Sequence, residues 1–552
     1  MKTGVFLLLA TALALGACAE DTDPEPAPTP DAVAEERDVC EELQFGNAAD
    51  AAMCPRVQRA GLNPRYADAT TVCRRMAIDL LGRTPTWTEV EGQCQGKSPA
   101  EMVDYFMSQP EYVRRHQRRW ADLFQYNDGF SHYRHILALD ELVAQLYRGE
   151  VNYARFGELA LTHPGYTGRH FGEARVAVAF RVFLGRDAHP VERADMVGLW
   201  TIWQPVQDYD ADYYFQHIDV RAYPPICQPP LDELLCHSSV YGDTTVAIPL
   251  RDPDASSYRN LIRPDDLTED EWEALRAPGR ILAALPYYNE HAVTEAMDRY
   301  LGWGAAAGLP EVRLALLRYF EGVDLDVPAM ERELLTSHLY LQTTTPPENE
   351  VDPLTGEAPR WRYSPVKFMD VETWLDSLSL TVKRDFGQCD HRFPYVRNGV
   401  HPQSGQTIYA PHAYPVANPE TNTPDFTYAT VARVLGGCPD RLQQFRFTGT
   451  GVVHALDQES ILQYLCYLPD ATGLLPGGHF NAPFAPGADR ETRTALFRHQ
   501  IRSFYSREPA DAELGDFLDS TDACLASSAC TPDQLPAQLC VALTQGAEFL
   551  HY

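Results

Sequence analysis

The sequence lacks the short motifs that would assign it a reaction. No C-x-x-C-H or C-x-x-C pattern occurs, which argues against covalent c-type haem, zinc ribbons and thioredoxin-like redox chemistry. The G-x-S-x-G elbow, the P-loop and G-x-G-x-x-G are also missing, so hydrolase and nucleotide chemistry have no positive support. The sequence therefore indicates no catalytic residue, and no cofactor is expected from its motifs.

Basic residues are scarce. The chain has 46 Lys and Arg against 77 Asp and Glu, a formal net charge of −31. A surface of this charge repels phosphate backbones, so we expect no nucleic-acid partner. One arginine-rich stretch, YVRRHQRRW at 112–120, is predicted to be a helix with its arginines on a solvated face that pairs with local acids. The residues of the opposite, apolar face are Val113, His116, Trp120, Leu123 and Phe124.

Long hydrophobic runs are absent, and the run at the N-terminus is too short for a membrane span. Val5 to Leu15 is apolar, but a helix needs ~20 residues to cross a bilayer. The run suits the core of a secretory signal, and the residues LGAC that end at Cys18 resemble a bacterial lipobox. We therefore predict a lipoprotein signal peptide at 1–17 and lipidation of Cys18. The alternative is an ordinary signal peptide with an incidental cysteine.

The segment 18–40 is acidic, rich in proline and almost free of large apolar residues. Such a composition cannot pack and is typical of an extended tether. Residue 19 is Ala rather than Asp, which favours sorting to the outer membrane. We expect a lipid-anchored protein at the bacterial outer membrane or cell surface, with the membrane as a partner through that anchor.

Cysteine usage agrees with export. Thirteen cysteines minus Cys18 leave twelve, an even number that predicts mostly disulfides. Cys227 and Cys236 close a short proline-rich loop and are the pair that we predict. The remaining connectivity is open.

Hydrophobic periodicity predicts a mainly α protein with two helical bodies. Residues 41–205 form the first body and residues 265–552 the second. Between them, 206–264 is rich in Pro, Tyr and Asp and is predicted to be an irregular insert pinned by a disulfide. A second loop-rich insert falls at 386–430.

A short pattern occurs three times: DLLGRTPTWTE, FLGRDAHPVE and FYSREPADAE. Each copy ends an apolar run, has an Arg, and reaches a Glu six residues later. We interpret the pattern as a helix-turn-helix corner, in which Gly or Ser ends one helix and a capped or proline-led start opens the next. The Arg is expected either to cover the C-terminus of the first helix or to pair with the Glu. The three pairs are Arg83 with Glu89, Arg186 with Glu192, and Arg507 with Glu513.

The first copy and the residues after it resemble a bacterial family of unknown function, numbered 1549, that is associated with planctomycetal cytochromes. The pattern is R-R-x₃-D-L-x-G-x-x-P-x₃-E, then Pro-x-Tyr and W-x-D-L. The matching positions are Arg74, Arg75, Asp79, Leu80, Gly82, Pro85, Glu89, Pro110, Tyr112, Trp120, Asp122 and Leu123. The resemblance implies an exported protein, but without a haem motif it implies no electron transfer.

The C-terminal half resembles the companion family numbered 1553. Four stretches are similar to its successive signatures, at 332–345, 368–378, 447–461 and 539–552. Neither family has established catalytic residues, so the resemblance assigns none here.

Two metal sites are worth testing against this background. Asp208, Asp210, Asp212 and Asp219 have the spacing of a calcium loop, although Tyr213 occupies the position that an EF-hand gives to glycine. A solvated acidic loop is the alternative. The histidines that are candidates for zinc are His132, His135, His163 and His170, and ordinary surface or core histidines are the alternative.

The most consistent function is a binding or scaffolding lipoprotein of the envelope. Its partner would be an exported protein or an envelope polysaccharide, held by the aromatic-rich inserts at 204–264 and 386–430. The alternative is an exported enzyme that acts on polysaccharide or on a redox partner.

Overall fold

A computed structural model describes most of the chain. The described residues are 46–126, 133–201, 269–344, 364–383, 452–474 and 489–552, with short gaps inside several ranges, together with five short strands and a few single positions such as Cys40 and His391. Every structural statement below refers to these residues.

The described chain is mainly α, as the periodicity predicts, with twenty α-helices. A π-helical turn, Val90–Cys94, follows the third helix, and 3₁₀ turns occur at Thr472–Leu474 and Pro532–Gln534. The α-helices are α1 Ala48–Ala60, α2 Ala69–Leu81, α3 Trp87–Glu89, α4 Pro99–Met107, α5 Pro110–Phe124, α6 Tyr133–Tyr147, α7 Tyr153–Thr162, α8 Gly172–Leu184, α9 Pro190–Thr201, α10 Glu269–Ala283, α11 Pro286–Tyr300, α12 Ala305–Gly308, α13 Pro310–Gly322, α14 Val327–Leu335, α15 Val371–Val382, α16 Val452–Cys466, α17 Arg490–Tyr505, α18 Asp511–Ala526, α19 Leu535–Gln545 and α20 Ala547–Leu550.

Short strands occur in the two segments that the sequence marks as irregular. The first has an antiparallel sheet of β1 Ile226–Gln228, β2 Glu233–His237 and β3 Thr245–Pro249, and the second pairs β4 Gly399–Val400 with β5 Thr407–Ile408. The register places Cys227 opposite Cys236. Directly opposed residues have the Cα spacing that a disulfide requires, so the predicted bond is compatible with this register.

The chain divides into two compact units. Unit 1 takes Met1–Phe106, Thr336–Phe386 and Thr448–Tyr552, and unit 2 takes Met107–Leu335 and Gly387–Phe447. Each unit therefore draws on both helical bodies that the sequence separates at 206–264. Periodicity locates helices but does not show which distant helices pack together, and this is why the residue sets differ.

Among the described residues of unit 1, disulfides join Cys40 to Cys54, Cys73 to Cys94, and Cys466 to Cys540, and Cys524 is disulfide-bonded as well. The second joins α2 to the π-helical turn, and the third joins α16 to α19. They accord with the predicted use of cysteine in disulfides. Helix α17 packs against α15, α18 and α19, and its Phe504 is fully buried.

Unit 2 is built around two close helix pairs. Helices α7 and α10 approach so closely that a Cβ at Gly279 would lie 2.5 Å from the Cα of Glu158, so this crossing requires glycine. Helices α5 and α6 pack on each other, and the aromatic core beside them includes Trp120, Phe183 and Tyr288. Phe183 and Tyr288 stack with ring centroids 5.3 Å apart.

None of the described helices combines the length and the hydrophobicity that crossing a membrane would require.

Candidate functional site

The three repeated corners have one geometry. In each, the last residue of the corner's first helix is followed by a residue in the left-handed region, namely Gly82, Gly185 and Ser506 with φ of 71°, 65° and 59°. Glycine adopts this conformation without strain, and Ser506 shows that the corner also forms without it. A side chain at Gly185 would have a second obstacle, because its Cβ would lie 2.5 Å from Nδ1 of His291.

Each corner arginine binds its glutamate through two parallel hydrogen bonds. The Nη–Oε distances are 2.9 and 2.9 Å for Arg83 with Glu89, 2.7 and 2.7 Å for Arg186 with Glu192, and 2.8 and 2.7 Å for Arg507 with Glu513. The planar guanidinium matches the carboxylate, which makes such pairs specific in geometry. Of the two roles open to the arginine, the structure has the pair with glutamate.

The same glutamates cap the helices that follow. Glu89 accepts the Thr86 N–H at 2.7 Å in a complete capping box, and the other two glutamates accept the equivalent N–H groups at 2.8 and 2.7 Å. The hydrogen bonds from Arg186 lower the pKa of Glu192 to about 2. Each glutamate thus binds both the arginine and the N–H of the residue that precedes the second helix in its own corner, which serves as a joint between helices.

The paired arginines of α2 bind backbone carbonyls that are far away in sequence. Arg74 donates to the carbonyl of Phe504 at 2.7 Å and to that of Glu548 at 3.1 Å. Arg75, only 1% exposed, donates to the carbonyls of Tyr340 and Gln342. Both arginines therefore join α2 to later segments of unit 1.

Asp79 completes this polar centre of unit 1. Its side chain is 3% exposed and its oxygens accept Lys367 Nζ at 2.6 Å, Tyr340 OH at 2.8 Å and Tyr552 OH at 3.0 Å. Three sequence-distant segments meet on this one carboxylate. We call Asp79, Lys367, Tyr340 and Tyr552 the Asp79 centre.

A second buried polar group lies in unit 2, where α5, α6, α11 and α14 meet. Glu331, 1% exposed, accepts Tyr112 OH at 2.7 Å and Arg299 Nη1 at 3.1 Å. The His116 ring stacks on Tyr147, with centroids 3.6 Å apart and an angle of 13° between the planes. We call this set the Glu331 cluster; its members are Tyr112, His116, Arg119, Tyr147, Glu295, Arg299 and Glu331.

Burial dominates the electrostatics of this cluster. It lowers the pKa of His116 well below the usual range, and the charges of Arg299 and Arg119 add to that effect. Burial also raises the pKa of Glu331, against the opposing influence of Arg299 and of the Tyr112 hydroxyl. His116 and Glu331 thus both favour their neutral forms more strongly than they would in water.

The third buried polar group is a carboxylate–histidine pair, which also lies in unit 2. Asp140 on α6 accepts His391 Nε2–H at 2.8 Å through Oδ1 and lies 3.0 Å from it through Oδ2. Tyr126 OH donates to the same Oδ1 at 2.7 Å. The carboxylate fixes the orientation of the imidazole, which is how histidine bases and metal-ligating histidines are commonly held.

Several predicted site residues lie outside the described residues. These are Cys18, the calcium candidates Asp208, Asp210, Asp212 and Asp219, His132, and the side chains of His135, Cys227 and Cys236. His170 is described, and its Nε2–H donates to the Phe124 carbonyl at 2.7 Å. Within the described part of the chain, no group of three or more His, Cys, Asp or Glu is placed to hold a metal ion.

One apolar side chain is almost entirely exposed. Trp303, at 95% exposure, lies in the turn between α11 and α12. The glycines beside it, Gly302 and Gly304, have φ of 93° and 82°, a conformation that side-chain-bearing residues rarely adopt. The turn therefore presents the indole on a backbone that glycine makes possible.

Sequence reasoning missed the partners in all three buried groups. It singled out Arg74, Arg75 and Asp79 only through the family pattern, and it placed His116 on the apolar face of α5. Glu331 and Asp140 carried no local signal. A charged residue at a position where the helical period expects an apolar one is the only sequence sign of such a group.

A comparison with known protein families agrees with part of this picture. The family model described as PSCyt2, a protein of unknown function (DUF1549), matches residues 48–180, which run from α1 into α8. No curated protein and no solved structure matches the chain. Residues 48–180, including Arg74, Arg75 and Asp79, are therefore similar to the family of unknown function 1549.

Proposed function

We propose that this protein is a lipid-anchored binding or scaffolding protein of the bacterial envelope, and that the turn carrying Trp303 contacts its partner. The observation that carries the proposal is the 95% exposure of that indole. Tryptophan is enriched among the residues that dominate binding energies, and exposing one to water without a partner is unfavourable.

The buried charges favour binding over catalysis as the role of the motif residues. Arg74 and Arg75 bind backbone carbonyls, Asp79 binds Lys367, and each corner arginine binds a glutamate. Groups committed to such bonds stabilise a framework, and Arg74, Arg75 and Asp79 are in addition at most 6% exposed.

We expect Trp303→Ala to weaken partner capture at least tenfold, which corresponds to about 1.4 kcal/mol of binding free energy. The measurement is chemical cross-linking in intact envelopes followed by quantitative mass spectrometry of the captured protein or glycan. Leu314→Ala is the matched control, since Leu314 is 49% exposed in the same unit. Equal capture by wild type and Trp303→Ala would refute this contact.

The anchor has its own test. We expect palmitate labelling, and recovery in the membrane fraction, to be lost in Cys18→Ala, because a lipobox cysteine carries the acyl chains. Labelling that persists in this variant would contradict the anchor without bearing on Trp303. The companion family 1553 and the outer-membrane location remain part of the same proposal.

An exported enzyme is the second candidate, and the Asp140–His391 pair is the observation that favours it. A carboxylate-held imidazole is a common element of general-base and metal-dependent sites. His391 falls in the 386–430 insert, one of the two aromatic-rich inserts that the sequence analysis predicts to hold a partner. Stoichiometric iron, copper or zinc in the purified mature protein would favour the enzyme over the scaffold.

A further inference from the structure

His116 is a buried histidine without a hydrogen bond from either ring nitrogen to any described residue. Its exposure is 2%, and both Nδ1 and Nε2 are inaccessible to solvent. Oε2 of Glu331 lies 3.5 Å from Nε2, and that oxygen already accepts the Tyr112 hydroxyl. The ring is held by its stacking on Tyr147 and by its edge contact with Tyr112.

The charged and titratable groups that interact with this ring or with its immediate neighbours come from five helices. Helix α5 contributes Tyr112, Arg115 and Arg119, α6 contributes Tyr147, α7 contributes Tyr153, α11 contributes Glu295, Arg299 and Tyr300, and α14 contributes Glu331.

Among these groups the two most buried guanidiniums each have a carboxylate. Arg119 pairs with Glu295, and Arg299 pairs with Glu331. The two positive and two negative charges of these pairs cancel as long as the imidazole is neutral. A proton on His116 would add a positive charge beside Arg119 and Arg299, in a volume from which water is excluded.

We propose that His116 is an acid-sensitive latch that holds α5 against α6 and α14 and releases it when the imidazole takes up a proton. The protonated ring would have two N–H donors. Glu331 could accept only one of them, in competition with Tyr112, and Nδ1–H would remain buried without an acceptor. When the cluster opens, water can hydrate the imidazolium. Acid therefore shifts the equilibrium toward the open form.

The direction follows from proton linkage. His116 keeps its low pKa only while the cluster is closed, so below pH ~6.5 the open form binds up to one proton more, and the opening equilibrium constant rises with a slope that approaches tenfold per pH unit. Glu331 acts in the opposite direction. Because the pKa of Glu331 is raised in the closed cluster, the closed form binds this proton at a higher pH than the open form does. At lower pH this uptake stabilises the closed form and offsets part of the stability that protonation of His116 removes. The response is therefore a step that begins near pH ~6.5 and flattens in stronger acid.

Hydrogen exchange of the full-length chain between pH 7.5 and 4.5 tests the latch. After correction for intrinsic exchange rates, we expect amides of α5 and α14 to open about fivefold more often at pH 5.5 than at pH 6.5, because the open-state imidazole is already half protonated at pH ~6.5. In His116→Gln that increase should disappear. His189→Gln, which removes an exposed histidine of the same unit, should retain it.

The same experiment distinguishes His116 from other histidines of unit 2. His163, whose pKa burial lowers to about 4, lies just after α7 and remains in every variant. An unchanged acid response in His116→Gln would overturn the latch. His116→Phe preserves the stacking on Tyr147 and repeats the test should the glutamine variant fail to fold. If neither variant folds, NMR titration of His116 in the wild type decides: a value near 6.5 contradicts the proposal, whereas a ring that stays neutral until α5 opens supports it.

Discussion

Glu331→Ala is expected to lower the unfolding free energy of unit 2 by about 3–5 kcal/mol. The substitution removes the carboxylate that Arg299 binds at 3.1 Å, leaving Arg299 with the Glu295 carboxylate at 3.8 Å, and it leaves the buried Tyr112 hydroxyl without its acceptor. Removing one partner of a buried pair is far more destabilising than replacing both, because the remaining charge keeps its desolvation cost. Chemical denaturation monitored by hydrogen exchange in α5 and α14 measures the loss.

Two variants on α14 make this result interpretable. Glu331→Gln keeps an oxygen for Tyr112 but removes the charge, so its loss should be intermediate. Glu333→Ala makes the same substitution on the same helix at a position that is partly exposed, and should cost less than about 1 kcal/mol. A loss in Glu331→Ala no larger than in Glu333→Ala would mean that the buried carboxylate does not stabilise the unit.

Asp79→Ala is expected to destabilise unit 1 to a similar degree, about 3–5 kcal/mol. Lys367, 12% exposed, would lose both carboxylate oxygens, and the hydroxyls of Tyr340 and Tyr552 would lose their common acceptor. Without the carboxylate, the largely buried ammonium must either lose its proton or rearrange to reach water, and both changes cost free energy in the folded unit. Thermal unfolding, with hydrogen exchange of the α2 amides as the readout, measures the size of this destabilisation.

A double-mutant cycle separates the pair from general damage. Lys367→Met removes the buried cation and keeps an apolar chain of similar length, so adding it to Asp79→Ala should recover part of the loss. Asp516→Ala, an exposed aspartate in α18, is the control and should stay within about 0.5 kcal/mol of wild type. If the two losses simply add, Asp79 and Lys367 are not energetically coupled.

The parts of the fold that depend on neighbouring residues could be predicted from the sequence. The corners are local: Arg186 and Glu192 lie six residues apart, and the turn between them fixes how they meet. The helical period also placed His116 and Trp120 on the buried face of α5, where both lie. Helix ends, caps and apolar faces leave such signals within a few residues.

The partners of the buried groups could not be predicted in this way. Tyr112 and Glu331 are separated by 219 residues, and Asp140 and His391 by 251. No propensity or spacing connects residues that far apart, since only the packing of the whole unit brings them together. The strands within 206–264 were missed for another reason: their few apolar residues are masked by a composition rich in proline and tyrosine.

The hydrogen bonds of Arg74 set an order of events during synthesis. Its acceptors at Phe504 and Glu548 lie 430 and 474 residues later in the chain, whereas the first segment of unit 2, Met107–Leu335, is made without interruption in between. At ~5–20 residues per second, the ribosome needs roughly 20–95 s to reach them. Throughout that interval the Arg74 side chain on α2, which the finished fold encloses, must remain hydrated. Unit 2 therefore has time to form before the last segment of unit 1 has been made.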